Sequence, residues 1–186
     1  MTELAGILLP AEPLGDGTTF LRPWRESDVP KLVTLCQDAE ITRWTRVPTA
    51  YGITSARAWI AESRALVKDR ISAPFAIISP GDEELLGSIS LMRFTWEDAR
   101  GEVGYLLGRR ARGQGHATRA LRLICAWGFA TLGLERIDLY AATENLASQR
   151  VAERGGFTRE AVLRSYHVLH GAPLDMVGFG LLPEDF

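Results

Sequence analysis

The chain has 186 residues, 46% of them hydrophobic and 24% charged, the balance of one ordinary water-soluble domain with material for a substantial core. Its 21 basic and 23 acidic residues leave a formal net charge of -2, which gives no general attraction to nucleic acid or to an anionic membrane. No run reaches the roughly 18 to 20 apolar residues of a membrane span, and the first residues carry no basic segment ahead of their short apolar run, so a cytoplasmic protein is expected.

In chain order, the segment up to Gly17 reads as a loose arm, and Thr18 to Trp24 as a strand. Ser27 is placed to cap a helix running to about Asp38, with Pro30 in its first turn. Ile41 to Gly52, with Trp44, Pro48 and Tyr51, reads as a loop. Thr54 or Ser55 then caps a second helix with apolar residues at helical spacing. Three strands follow: Pro74 to Ser79, Leu85 to Trp96 after the Pro80-Gly81-Asp82 turn, and Glu102 to Leu107 after a polar turn. Such short connections make an antiparallel meander. A helix from about Gln114 to Leu132 is stopped by Gly133. Leu134 to Ala142 is a strand, Leu146 to Gly155 a short helix, and Phe157 to His167 with Pro173 to Leu182 a closing hairpin. The fold class is therefore α/β (α+β). A single mixed, mostly antiparallel sheet of about seven strands is flanked by about four helices.

Cys36 and Cys125 read as small buried apolar residues. With His116, His167 and His170 they show no metal-binding spacing, so no metal is expected.

The segment that carries chemistry is Arg109-Arg110-Ala111-Arg112-Gly113-Gln114-Gly115-His116, with a strand before it and a helix after it. Gly113 and Gly115 let the backbone turn tightly and approach a ligand without a Cβ in the way. The first N–H groups of the helix have no internal acceptors, and the helix end carries about half a positive charge. A pyrophosphate fits such a place, and the three arginines add charge around it. A plain strand-to-helix turn with solvated arginines is the other reading. A nucleotide P-loop is excluded because no lysine follows; Lys31 and Lys68 are the only lysines. A dinucleotide-binding turn has Thr118 where the third glycine belongs and follows a meander rather than an early parallel strand, although Glu135 and Asp138 stand near the distance for its acidic residue.

Arg110, Gly113 and Gly115 fit, in order, the [RQ]-x-x-G-x-[GA] signature of the GNAT superfamily, which the chain resembles. Four stretches, the coenzyme loop among them, resemble its RimJ/RimL-type branch. They are Leu21-Arg22-Pro23-Trp24 with Glu26-Ser27-Asp28, Gly101 to Tyr105, Gly113 to Thr118, and Asn145 to Ser148 with Gly155-Gly156-Phe157. The resemblance divides the chain into an arm, residues 1–17, and an acetyltransferase domain, residues 18–186. It implies acetyl-coenzyme A as cosubstrate, its pyrophosphate on the loop and its pantetheine arm in a gap between the strand Glu102 to Leu107 and the segment Leu139 to Thr143. The implied coenzyme-binding residues are Tyr105, Leu106, Leu107, Arg110, Arg112, Gly113, Gln114, Gly115, His116, Ala117, Thr118, Asn145 and Ser148. Gly104 suits either a bulge that parts the strands or close packing against an aromatic.

The reaction implied is direct attack of a primary amine on the thioester in a ternary complex. Glu102 is the candidate base, its plainer reading being a surface charge at a strand end. Many relatives use a tyrosine to meet the leaving thiolate; here that position is Ala152, and Ser148 is the implied substitute. Ser148 also suits a helix cap and Asn145 a turn residue. The acceptor is a protein or peptide α-amine or a small amine, bound among the Ile41 to Gly52 loop, Phe94 to Trp96 and the closing hairpin. Trp44, Tyr51, Trp96, Tyr166, His167 and His170 are its candidates. An aminoglycoside-type acceptor is polycationic and calls for an acidic cleft, for which the sequence offers Glu26, Glu40, Glu97, Asp98 and Glu102. The two remaining alternatives are a non-catalytic coenzyme-A-binding module and a dinucleotide-binding protein. Neither nucleic acid nor membrane is an expected partner. A homodimer is the expected form of any self-association, since dimers are the commonest homo-oligomers.

Overall fold

A computed structural model of the chain describes residues 6–81 and 84–186. Residues 1–5 of the expected arm and Asp82 of the expected turn lie outside them. Eight strands form one sheet: β1 (Leu14–Gly15), β2 (Phe20–Arg22), β3 (Ser72–Ile78), β4 (Leu85–Thr95), β5 (Arg100–Leu107), β6 (Arg136–Ala142), β7 (Thr158–Leu169) and β8 (Ala172–Leu181). Their spatial order is β1-β2-β3-β4-β5-β6-β8-β7. Only β5 and β6 run parallel; the other neighbours are antiparallel. The helices are α1 (Val29–Cys36), α2 (Ala39–Trp44), α3 (Ile53–Lys68), α4 (His116–Leu132) and α5 (Leu146–Arg154).

Among the described residues this is one strand and one helix more than the sequence pattern suggests. The extra strand is β1, which pairs with β2 inside the segment read as an arm, and Ile7 of that segment is buried. The extra helix is α2, inside the stretch read as a loop. Its six residues include β-branched and aromatic positions of middling helix propensity, but Asp38 caps it, accepting the Glu40 N–H at 3.0 Å. Two expected caps are displaced. Ser27 lies in a short 3-10 turn ahead of α1, and α3 begins at Ile53 behind Gly52, before Thr54 and Ser55.

Strand β3 is buried along its whole length because both of its faces are covered. Ala73, Phe75 and Ile77 join Leu91, Val103, Leu121, Ile124 and Cys125 in one core under α4. Ala76 and Ile78 point the other way, into a second core with Val29, Leu32, Ile41, Ala56 and Ile60 of α1, α2 and α3. This is the period-2 alternation of a strand between two helical layers. The far edge is different: β7 is exposed at most positions. A buried ion pair fixes the start of the domain. Arg22 holds Asp28 through two bonds of 2.7 and 2.8 Å, and Asp28 also accepts the Arg25 N–H at 2.9 Å. Burial opposes the charge on Asp28, but the guanidinium and the amide outweigh it and hold the carboxyl below its usual range. This pair is the physical content of the Leu21 to Trp24 and Glu26 to Asp28 stretches.

Candidate functional site

Strands β5 and β6 pair only at Arg100 with Arg136, Gly101 with Ile137 and Glu102 with Asp138. Beyond Glu102 they part. Val103 to Leu107 stays bonded to β4, and Leu139 to Ala142 to β8. The two facing edges line a cleft of about 580 Å3 that is also lined by Arg112, Gly113 and Ala117 around the glycine turn, Glu40 and Trp44 of α2, and His167 of β7. The gap lies between the two segments that the sequence resemblance names.

Neither reading of Gly104 holds. It pairs regularly with Ser90, and an added Cβ would stand 3.0 Å from the Met92 methyl, with no aromatic beside it. Its missing side chain leaves the cleft open at that point. The irregularity lies on β4 instead, where Arg93 and Phe94 oppose the single Gly101 and Arg93 takes a φ of 51°. A bulge re-aims the side chain it carries, and Arg93 turns onto Glu102 at 3.0 Å. Burial raises the Glu102 carboxyl above its ordinary value, and Arg93 only partly offsets this. Glu102 lines the cleft, with its side chain 18% exposed.

At the other end, Gly113 and Gly115 have φ of 77° and 84°, where a Cβ is unfavourable. A Cβ on Gly113 would meet nothing within 4 Å, and one on Gly115 only the Arg119 guanidine. The space beside this turn is thus open. Among the described residues no side chain caps α4 at its start, which leaves its first N–H groups open to a ligand. Arg110 lies in the 3-10 turn Arg109–Ala111, its side chain without a bond or ion pair among the described residues. Arg112 differs from expectation. Its guanidinium is bonded to the Leu107 carbonyl at 2.9 Å and to Asp38 at 2.6 Å, so its charge is already committed. Asp38 thereby joins the glycine turn to α2. Gln114 donates to the Arg110 carbonyl, His116 bonds Thr19 at 2.9 Å, Ala117 is buried and Thr118 is half-buried.

On α5, Asn145 is the cap, accepting the Ser148 N–H at 3.1 Å. Ser148 is therefore not the cap, and its hydroxyl meets the Tyr105 hydroxyl at 3.0 Å. Tyr105, Leu106, Leu107, Asn145 and Ser148 all line the cleft. Of the aromatic and histidine candidates, Trp44, Tyr166 and His167 line it as well. His167 is held toward its neutral form by burial and by Arg46 and Arg93. His170 bonds the Thr42 carbonyl of α2 at 2.6 Å, tying the hairpin tip to that helix. Trp96 stacks on Phe94, and Tyr51 lies against Cys36. The sequence pattern missed Arg93 and Asp38. Only the Asp38-Ala39-Glu40 cap carries a readable signal for either.

Residues 19–158 match the family described as an acetyltransferase (GNAT) domain. The uncharacterized N-acetyltransferase p20 of Bacillus licheniformis is 28% identical over 165 residues, covering 87% of this chain and 93% of that protein. The ribosomal-protein-serine acetyltransferase of Escherichia coli strain K12 is 31% identical over 91 residues, covering 49% of this chain and 51% of its own. Among solved structures, Mycobacterium smegmatis RimJ in complex with a coenzyme A disulfide superposes with a TM-score of 0.83 at 25% identity, over 94% of this chain and 88% of that one. Among the described residues no helix is long and apolar enough to cross a membrane. With a matched segment that contains the glycine turn and the parted strands, the chain belongs to the GNAT family of acetyltransferases.

Proposed function

We propose that this acetyltransferase transfers the acetyl group of acetyl-coenzyme A to the α-amine of a protein or peptide. The observation that carries the reading is the continuous cleft. It runs from the open start of α4, between the parted strands, to the carboxylate of Glu102. The residues present suit the cosubstrate: free helix N–H groups, two glycines with open space beside them and the unpaired Arg110 take the phosphates. The Val103 to Leu107 edge offers N–H groups to the pantetheine amides, and one of them to the carbonyl oxygen as charge grows on it. When bound, acetyl-coenzyme A supplies an acyl group already activated as a thioester.

Glu102 accepts the proton of the incoming amine, directly or through a water. An α-amine has a pKa of about 7.7 to 8.0 against about 10.4 for a lysine, so it gives up its proton to a carboxylate more readily. The charge pattern favours this acceptor over a polycationic one. Of the five acidic residues that the sequence offers for an aminoglycoside-type site, only Glu40 and Glu102 line the cleft. Each has an arginine beside it, Arg43 at 3.5 Å and Arg93 at 3.0 Å. The E. coli relative, named for a ribosomal-protein serine, points the same way. Ser148 stands on the coenzyme side to hydrogen-bond the departing sulfur.

The test is release of free thiol from acetyl-coenzyme A against peptides with free or blocked α-amines, aminoglycosides and polyamines. Turnover on the free-amine peptides alone is the expected result. Turnover on polycations alone overturns the acceptor class. Binding of coenzyme A without turnover on any amine leaves a non-catalytic module.

A further inference from the structure

Ser148 occupies the third position of α5, where Asn145 already serves its backbone N–H. The Ser148 hydroxyl is thus released from capping, and its protein partner is the Tyr105 hydroxyl, 3.0 Å away on β5. Both residues line the cleft. Ala152, where many relatives carry a tyrosine, lies four residues on from Ser148 and therefore on the same face of α5, fully buried and without a hydroxyl. The phenol from β5 thus approaches the face of α5 from which a helix-borne tyrosine would project.

The direction of the bond between the two hydroxyls follows from their chemistry. A phenol is far more acidic than an alkyl hydroxyl and is the better donor. Burial pushes the Tyr105 phenol up to about 12, so it keeps its proton at neutral pH. With Tyr105 donating to its oxygen, Ser148 has its own hydrogen to direct elsewhere, and a hydroxyl that accepts one hydrogen bond donates the next more strongly.

We propose that Tyr105 is a positioning residue for acyl transfer, holding the Ser148 hydroxyl so that its hydrogen faces the departing sulfur. This rests on the acetyl-transfer reading above. In the step concerned, the amine nitrogen bonds the carbonyl carbon and the carbon–sulfur bond breaks. The electron pair goes to sulfur, and the amine proton goes to Glu102. Ser148 stabilises the thiolate by a hydrogen bond and keeps its proton; Tyr105 keeps its own.

The experiment compares Tyr105→Phe, Ser148→Ala and the double variant, by thiol release with a turned-over amine and by calorimetric titration of coenzyme A. Tyr105→Phe is expected to lower kcat about tenfold, with the KM for acetyl-coenzyme A and the affinity for coenzyme A within twofold of the parent. Ser148→Ala is expected to fall at least as far, and the double variant no further than Ser148→Ala, because the phenol acts only through the serine. A Tyr105 that merely packs would leave kcat unchanged or move KM and affinity with it. Should Tyr105→Phe lose coenzyme A binding, Tyr105→Met, which refills the space flexibly, takes its place with the same expected result. Full activity of Tyr105→Phe beside a slow Ser148→Ala overturns this inference alone, and so do additive losses. Full activity of both variants removes Ser148 from the reaction as well, leaving the acetyl-transfer reading to the acceptor panel.

Discussion

Gly115 and Gly133 stand at the two ends of α4, with φ of 84° and 66°. A Cβ added to Gly133 meets nothing within 4 Å, and one added to Gly115 meets only the end of the Arg119 side chain at 4.0 Å. Alanine at either position therefore costs backbone strain alone, about 1 to 2 kcal/mol for a left-handed residue. In a chain of this length that lowers the melting temperature by about 2 to 8 °C. The two variants differ in what lies outside. At Gly115 the new methyl enters the space assigned to the pyrophosphate and pushes it off a backbone N–H. A hydrogen bond to a charged group is worth about 1.5 to 3 kcal/mol, which is roughly a 10- to 150-fold loss of affinity. Isothermal titration of coenzyme A into Gly115→Ala is expected to show that loss, while Gly133→Ala keeps the parent affinity at a similar melting temperature. Equal affinities in the two variants would refute the placement of the phosphates on this turn.

Two further outcomes concern charge. The acid limb of kcat/KM is expected to inflect above the ordinary glutamate value of about 4.3, because burial raises Glu102 more than Arg93 lowers it. Arg93→Met removes the cation that favours the carboxylate, so the inflection moves to higher pH, while Glu102→Gln abolishes it and slows turnover by about 10² to 10⁴. A limb that does not move in Arg93→Met counts against Glu102 as the base. Asp28→Asn removes the buried carboxylate that two bonds of the Arg22 guanidinium reach. Breaking a buried pair costs about 3 to 5 kcal/mol, so melting is expected to fall by about 6 to 20 °C. The Asp28 carboxyl is lower in the folded than in the unfolded chain. Its contribution is therefore complete above the ordinary carboxylate range and is lost as pH falls through the folded value. The parent should lose stability in acid more steeply than Asp28→Asn, and parallel acid profiles would contradict this.

The local features of this protein are written in short stretches of sequence. Gly113, Gly115 and Gly133 mark the ends of α4 because only glycine takes positive φ there without strain. The apolar runs of β3 and β4 show where strands lie, since a strand between two layers must be apolar on both faces. The order meander, turn, helix, strand follows from the same local signals. Three things required the folded chain. Arg93 meets Glu102 only because a bulge opposite Gly101 turns it, and no pattern along β4 announces a bulge. Arg112 is spent on Asp38, 74 residues away, so its charge looks free in the sequence and is not. Ser148 reads as a helix cap until Asn145 is seen in that place and Tyr105, 43 residues distant, is found against its hydroxyl. Conformational preference is a property of a few neighbouring residues and can be read from them. The partner of a charge or a hydroxyl depends on which distant strands and helices packing brings within 3 Å, and that is decided by the tertiary structure alone.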